Sequence, residues 1–467
     1  MKSRARIGLV ALYFDMFDDI MPPSFRQEKE AVGREIATML GQLCEVDYPG
    51  IIANEAKAVE AADRWGQAGL DAIIFFPTMA SPPSFSWAVA RASKLPLLIW
   101  NGHLIQEIHD SFTYHDANRY SSNVGTIMVT NVFLREGRTF HLISGYYRDR
   151  NVLEQIRRYL DAVVAANRLR NARVGRIGRE IQGYADVSIE EEPLRSNLGT
   201  QIVPIEKEEL ERAYRDVNPS RIRDHRNRLG EEYQLEVPEE ILESSIRIAL
   251  ALEDLFVKHQ LDAAAINCHS DLFRRNPEIG LVACYGASRL TGMGFPVSCT
   301  GDIPTSIAML VLKALGGQAH YCECVMTDHV QNYILFTNTG EGDPTLARTN
   351  RKKCLICNEH YPGLRGGGAS PVFSCRGGAA TMVGFSPKMG AAKGHVLVAA
   401  QGEVLGTFHE DTRVANAAFR FKNHSCLEGF NRWCMAGAPH HGAFTLGDFS
   451  RQMQYVADLW GPQLILI

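Results

Sequence analysis

The chain has 467 residues, 45% of them hydrophobic and 22% charged, with a formal net charge of −4. That balance excludes a basic nucleic-acid face, and no apolar run approaches the roughly 18 residues that a membrane-spanning helix needs. The length predicts two or three domains. The first stretch, Met1 to Phe14, runs into Asp15, Asp18 and Asp19 without a small-residue cleavage site, so it reads as a strand rather than a signal peptide. Eleven scattered cysteines without a secretion signal predict reduced thiols in the cytoplasm.

Residues 6–14 read as a buried strand, 25–43 as a helix, and Val46 as the start of an edge strand. A helix at 55–68, a strand at 72–76, a helix at 83–94 and a strand at 97–100 follow. Helix 116–134 and strand 139–143 extend the unit. Strands alternating with helices predict βαβ units and a parallel sheet. Asp15, Thr78 and Asn101 follow strands and are candidates for a pocket rim or plain turn residues. Helix 151–168 bridges to a second α/β unit that begins at Val174. Gly178 and Gly183 flank a loop there, a weak phosphate signal. Residues 206–232 carry mixed charge and read as a solvated helix. Helix 238–259 and strand 262–267 lead to Cys268-His269-Ser270-Asp271, and a helix near 280–292 comes next.

The stretch from Val297 to Asn338 holds the chemistry-bearing residues. An apolar run ends at Thr300-Gly301-Asp302. Asp302 is placed to cap a helix whose first turn accepts Pro304. That helix is apolar nearly all round from Ile307 to Leu315, so it is predicted to be buried. Glu323 falls in the next strand-like run, and Asn338 ends the one after it. Beyond Asn338, glycines and short β-like runs predict a small antiparallel barrel or sandwich.

His440 and His441 lie in a loop of small residues, where one imidazole can ligate a metal while the other faces substrate. Carboxylates and amide oxygens from the Val297–Asn338 stretch would complete a mixed O/N site, which suits Mn²⁺ or Mg²⁺. A competing signal is Cys354-x-x-Cys357 with His360 and Cys375, half of a structural zinc site or ordinary buried thiols. The basic run Arg351-Lys352-Lys353 beside it can stabilise thiolates or meet an anion. Gly366-Gly367-Gly368 and Gly377-Gly378 read as turns.

These motifs resemble the L-fucose isomerase and L-arabinose isomerase superfamily. Cys299-Thr300-Gly301-Asp302 looks like its E-x-D segment, and Tyr321-Cys322-Glu323 looks like the strand with the second acidic ligand. Ala436-Gly437-Ala438-Pro439-His440-His441 matches its A-G-x-x-H-H motif. The resemblance implies two doubly wound α/β domains followed by an antiparallel β-barrel. The expected ranges are 1–168, 169–345 and 346–467. It also implies a homo-oligomer, a trimer or hexamer, with active sites between subunits.

The implied reaction is aldose–ketose interconversion through an enediol held by Mn²⁺. Carried over residue by residue, Glu323, His441 and Asn338 become metal ligands. Glu323, Asp302 and His440 become catalytic, and Thr300, His440, Asp271 and Asn338 bind substrate. Thr300 stands where the first acidic ligand is expected, and Asn338 where the arabinose branch has a histidine. A threonine hydroxyl is a poor ligand and no base at neutral pH. The substrate that the resemblance implies is a pentose, a 6-deoxyhexose or a sugar derivative. The alternatives are cleavage, hydrolysis or decarboxylation of an oxidised or phosphorylated sugar acid, and sugar binding without catalysis.

Overall fold

A computed structural model describes residues 4–338, 340–358, 367–388 and 394–467. The chain divides into two compact units, Met1–Asn167 and Arg168–Ile467. The first unit is built on a parallel sheet of order β2-β1-β3-β4-β5. Its strands are β1 (Arg6–Leu12), β2 (Glu45–Asp47), β3 (Ala72–Pro77), β4 (Leu97–His103) and β5 (His141–Tyr146). β3 is buried along its whole length, as its unbroken AIIFF run requires of a strand covered on both faces. Val10, Ile73, Phe75, Val89 and Phe133 share one core. The polar residues after these strands are tied locally. The Thr78 hydroxyl donates to the Leu12 carbonyl at 2.6 Å, the Asn101 amide donates to Asn123, and Asp15 accepts from Asn54. The expected helix 116–134 is two helices, Tyr114–Arg119 and Ser122–Arg135. Thr113 and Asp116 form a capping box on the first of these.

The second unit opens with another parallel sheet, of order β10-β9-β6-β7. Its strands are β6 (Arg173–Ile177), β7 (Gln201–Pro204), β9 (Ala263–Ile266) and β10 (Val297–Ser298). The charged stretch 206–232 is two helices, Lys207–Asp216 and Pro219–Glu232, because Pro219 starts a new one behind the Asn218 cap. Strand β8 (Tyr233–Glu236) joins a small sheet with β13 (Lys353–Cys357) and β14 (Ala369–Val372).

Six antiparallel strands then close a barrel: β11 (His320–Asp328), β12 (Tyr333–Asn338), β15 (Gly378–Pro387), β16 (His395–Leu405), β17 (Ala415–Phe421) and β18 (His441–Leu446). The strands run β15-β18-β11-β12-β17-β16, and the β15–β16 pairing closes the ring. The last strand, β19 (Gln463–Leu466), adds in parallel to β16. Closure leaves no edge along the six strands. Cys322, Phe336, Met382, Phe419 and Phe444 fill the interior. The residues that alternate with them on β11 and β18, including Glu323 and His441, therefore point outward.

Helix Ile303–Gly316 joins the two layers. It packs on β9 and on β15 and β18, and it is buried almost throughout, as its all-round apolar sequence predicts. Among the described residues, no helix is long and apolar enough to cross a membrane.

The zinc expectation at Cys354 and Cys357 is corrected by the strand they occupy. Both lie on β13, three residues apart, so they project to opposite faces and cannot share an ion. Cys375 is buried with its Sγ 3.9 Å from His320 Nδ1. His360 and Gly366 lie outside the described residues.

Buried His320 accepts the Asp343 N–H on Nδ1 at 3.1 Å. Burial and the Lys313 charge lower its pKa to about 4 against the opposing pull of Asp343. A histidine whose folded pKa lies below its unfolded value binds protons more readily when unfolded. Its stabilising contribution is present above about pH 6.5 and is lost as pH falls through about 4, up to about 3 kcal/mol. Urea midpoints are expected to fall between pH 7 and 4.5, with a smaller fall in His320→Asn. An equal fall in the variant would rule His320 out as a source of acid sensitivity.

Candidate active site

Strand register assembles the site. Glu323 on β11 lies directly opposite His441, the first residue of β18. Cross-strand partners share a face, so both side chains meet outside the barrel. Asp302, the N-cap of helix Ile303–Gly316, arrives from beneath. Its Oδ1 accepts the Thr305 N–H at 2.8 Å, and its Oδ2 lies 2.8 Å from His441 Nδ1. One Asp302 oxygen therefore caps the helix, as expected, and the other meets His441. On the other side of the ring, His441 Nε2 lies 3.4 Å from Glu323 Oε1. The Tyr321 ring packs 4.8 Å from the imidazole, centroid to centroid.

Burial decides what each group does. The Asp302 and His441 side chains are 0% and 2% exposed, whereas that of Glu323 is 35% exposed. Asp302 is thus walled off from solvent and holds the His441 ring, while Glu323 faces outward. Burial opposes charging His441, but hydrogen bonds to Asp302 and Glu323 overcome it and raise its pKa to about 9. Burial raises the Glu323 carboxyl, and the His441 hydrogen bond and charge more than reverse this, leaving it below its ordinary value.

A further carboxylate, Glu341, was not singled out in the sequence. It is 2% exposed, and neither carboxylate oxygen has a partner in good hydrogen-bond geometry, although the Asn338 amide and the Cys299 thiol come close enough to favour its charged form. Burial pushes its pKa up to about 7, opposed by the nearby Asn338 amide, the His441 charge and the Cys299 thiol. Glu323 is close enough to add to the rise. The signal was Gly340-Glu341-Gly342. A Cβ at Gly340 would lie 2.4 Å from Cys284 Sγ, and one at Gly342 would lie 2.4 Å from His320 Cε1. The glycines let the backbone enter the interior and carry an acid with it. Asn338, which ends β12, donates its side-chain N–H to the Glu341 carbonyl at 3.2 Å.

The remaining sequence candidates sit around this cluster or away from it. His440 is half-exposed, with its ring centroid 3.7 Å from that of His441. Its Nδ1 and its backbone N–H both meet Asp186 Oδ2, and Tyr184 packs edge-on against it. Asp186 and Tyr184, also missed in the sequence, thereby fix the loop. Asp271 is exposed and paired with Lys207 at 3.1 Å, outside the cluster.

Thr300 adopts φ +55° and its hydroxyl donates to the Cys299 carbonyl. Next to it, Gly301 has φ +76°, and a Cβ there would lie 2.6 Å from the Arg179 and Glu180 backbone. The turn is pressed onto the Gly178–Gly183 loop, and the Ile181 N–H donates to the Thr300 carbonyl. A β-branched residue in the left-handed region is strained by roughly 1–3 kcal/mol, partly offset by the unfolded-state entropy a glycine adds. Thr300→Gly is expected to raise unfolding stability by about 1 kcal/mol in urea titration. A loss of stability would mean that the threonine side chain makes a contact that outweighs its strain.

The donor chemistry fits a divalent cation of the manganese or magnesium type. Glu323 and Glu341 offer carboxylate oxygens, and His441 can offer Nε2 once a cation displaces the proton it carries there, while Asp302 engages its other nitrogen. The unsatisfied Glu341 carboxylate is the group that such an ion would neutralise. Among the described residues, no three His, Cys, Asp or Glu side chains are already gathered as a closed metal set.

Comparison with known proteins agrees with this architecture. Residues 320–462 match the family model of the L-arabinose isomerase C-terminal domain. The chain is 23% identical over 287 residues to sulfoquinovose isomerases of Priestia aryabhattai and Priestia megaterium (strain ATCC 12872 / QMB1551). Each alignment covers 60% of this chain and 61% of the relative. The chain spans about three fifths of the length of these relatives, and its described architecture is α/β sheets together with a closed antiparallel barrel that carries the His-His loop. The chain is thus similar, through its C-terminal part, to the L-arabinose isomerase C-terminal domain, and more distantly to the sulfoquinovose isomerases.

Proposed function

We propose that the protein interconverts an aldose and a ketose through an enediol intermediate, on a pentose, a 6-deoxyhexose or a sugar derivative. The observation that carries this reading is His441 held between Asp302 and Glu323, with the buried Glu341 carboxylate within reach of their charges. Glu323 is the base. It is partly exposed, and its lowered pKa keeps it ionised at neutral pH. It takes the proton from the carbon next to the carbonyl and returns it to the former carbonyl carbon, so that hydrogen is conserved in the sugar. His440, anchored by Asp186, holds a substrate hydroxyl at the open side.

Glu323, Glu341 and His441 would hold a divalent cation, Mn²⁺ or Mg²⁺. Bound there, the cation supplies polarisation of the sugar carbonyl and stabilisation of the developing negative charge. Asp302 fixes the His441 tautomer, and Asn338 fixes the Glu341 segment. Glu341 takes over the carboxylate role that Thr300 cannot fill. This removes the main motive for assigning the pocket to sugar-acid cleavage. The relatives' name adds a sulfonated hexose to the substrate classes. We place the enzyme in the cytoplasm as a homo-oligomer.

The test is incubation with Mn²⁺ and a panel of pentoses, 6-deoxyhexoses and a 6-sulfonated hexose, followed by NMR. Ketose formation from one class is expected. Failure with every class, alongside turnover of a sugar acid, would transfer the pocket to the alternative chemistry.

A further inference from the structure

A second cavity, of about 140 Å³, lies between the small sheet β8-β13-β14 and the start of β17. Arg348, Arg351, Lys352 and Arg413 line it, against one lining carboxylate, Glu236. Glu236 is engaged by Gln234 at 2.8 Å and by Arg413 at 3.7 Å, and among the described lining residues four cationic side chains stand against this one carboxylate.

The lining also includes Ser374 and Asn416, which are 4% and 1% exposed. Ser374 Oγ and Asn416 Oδ1 have no hydrogen-bond partner, although the Asn416 amide nitrogen donates to His409, Thr412 and Val414. A buried donor or acceptor left unmet is unfavourable unless a ligand or water meets it. Arginines prefer oxyanions, Ser374 can donate to one, and Asn416 Oδ1 needs a donor such as a hydroxyl. We propose that this cavity binds the oxyanion of a phosphorylated or sulfonated polyol.

Its place in the barrel links it to the reaction site. Register sets His441 opposite Glu323, Glu323 opposite Thr337, Thr337 opposite Asn416, and Asn416 opposite Ser374. These residues form one cross-strand row on the outer face. At roughly 4.8 Å per strand, Asn416 stands about 10 Å from Glu323. That separation is comparable to the length of an extended six-carbon sugar with a terminal oxyanion. The anion therefore comes either from the far end of the substrate, an assignment that rests on the isomerase reading, or from a free phosphate-type effector.

The full chain is titrated calorimetrically with inorganic phosphate, inorganic sulfate and a 6-phosphohexose. Saturable binding is expected. It should weaken about tenfold or more in Arg348→Gln/Arg351→Gln and less in Ser374→Ala. It should be unchanged in Arg420→Gln, whose side chain pairs with Glu403 elsewhere on the barrel. Far-UV circular dichroism and melting curves verify that each variant is folded. No saturation by about 10 mM, or equal affinity in all variants, overturns the proposal.

The source is read separately. If phosphate competes with the 6-phosphohexose, and the double variant raises KM for that sugar but not for its neutral parent, the cavity takes the substrate's own anion. If phosphate instead alters turnover of the neutral sugar, the cavity takes a free effector. Binding is measured on the resting protein, so an inactive isomerase assay leaves this result standing.

Discussion

Glu323→Gln is expected to lower kcat for aldose–ketose interconversion by about 10²- to 10⁴-fold, the range that a positioned general base supplies. The substitution keeps the side chain's shape and removes its charge. Two consequences follow from the geometry. The proton acceptor facing substrate is lost, and His441 loses the partner 3.4 Å from its Nε2. The diagnostic readout is exchange of the substrate's C2 hydrogen in D₂O, which should fall in parallel with turnover. A variant within about threefold of the parent in both measurements, well inside the range expected of a base, would remove Glu323 from the base's role.

Lys313→Met is expected to be the most damaging change away from the site, costing about 3–5 kcal/mol. Lys313 is the one charged residue in helix Ile303–Gly316. Its Nζ lies 2.6 Å from Asp343 Oδ2, with side chains 2% and 0% exposed. Asp343 also accepts from Ala319 N–H and from the backbone and hydroxyl of Thr345. Methionine matches the stem of lysine but strands a buried carboxylate. Lys313→Met/Asp343→Asn should recover part of the loss, because the amide oxygen still accepts some of these bonds. Urea unfolding of the single and double variants measures both terms. A single variant within 1 kcal/mol of the parent would contradict the assignment, given the 3–5 kcal/mol expected.

Much of the fold was legible because its signals are local. The unbroken apolar runs of β1 and β3 can only be strands covered on both faces, and the apolar helix Ile303–Gly316 can only be buried. Less legible were features set by pairing. That β11 and β12 belong to the barrel follows from their register with β18 and β17, which no local pattern encodes. The same register brings Glu323 to His441, and Asp302 meets that ring from 139 residues away. Motif likeness supplied these three residues where periodicity alone would not. Glu341 was passed over because Asp302 and Asp271 were the carboxylates considered in place of the one expected at Thr300. The buried acid instead enters from a Gly-Glu-Gly turn after β12, and Asp271 is spent on Lys207 at the surface.

Mn²⁺ titration of the metal-free protein shows whether Glu323, Glu341 and His441 act as one site. One high-affinity Mn²⁺ per chain is expected. Affinity should drop about 100-fold or more in His441→Ala and in Glu341→Gln, and about 10- to 100-fold in Asp302→Asn, whose side chain only orients the imidazole. Unchanged Mn²⁺ affinity in both His441→Ala and Glu341→Gln would contradict a single shared site.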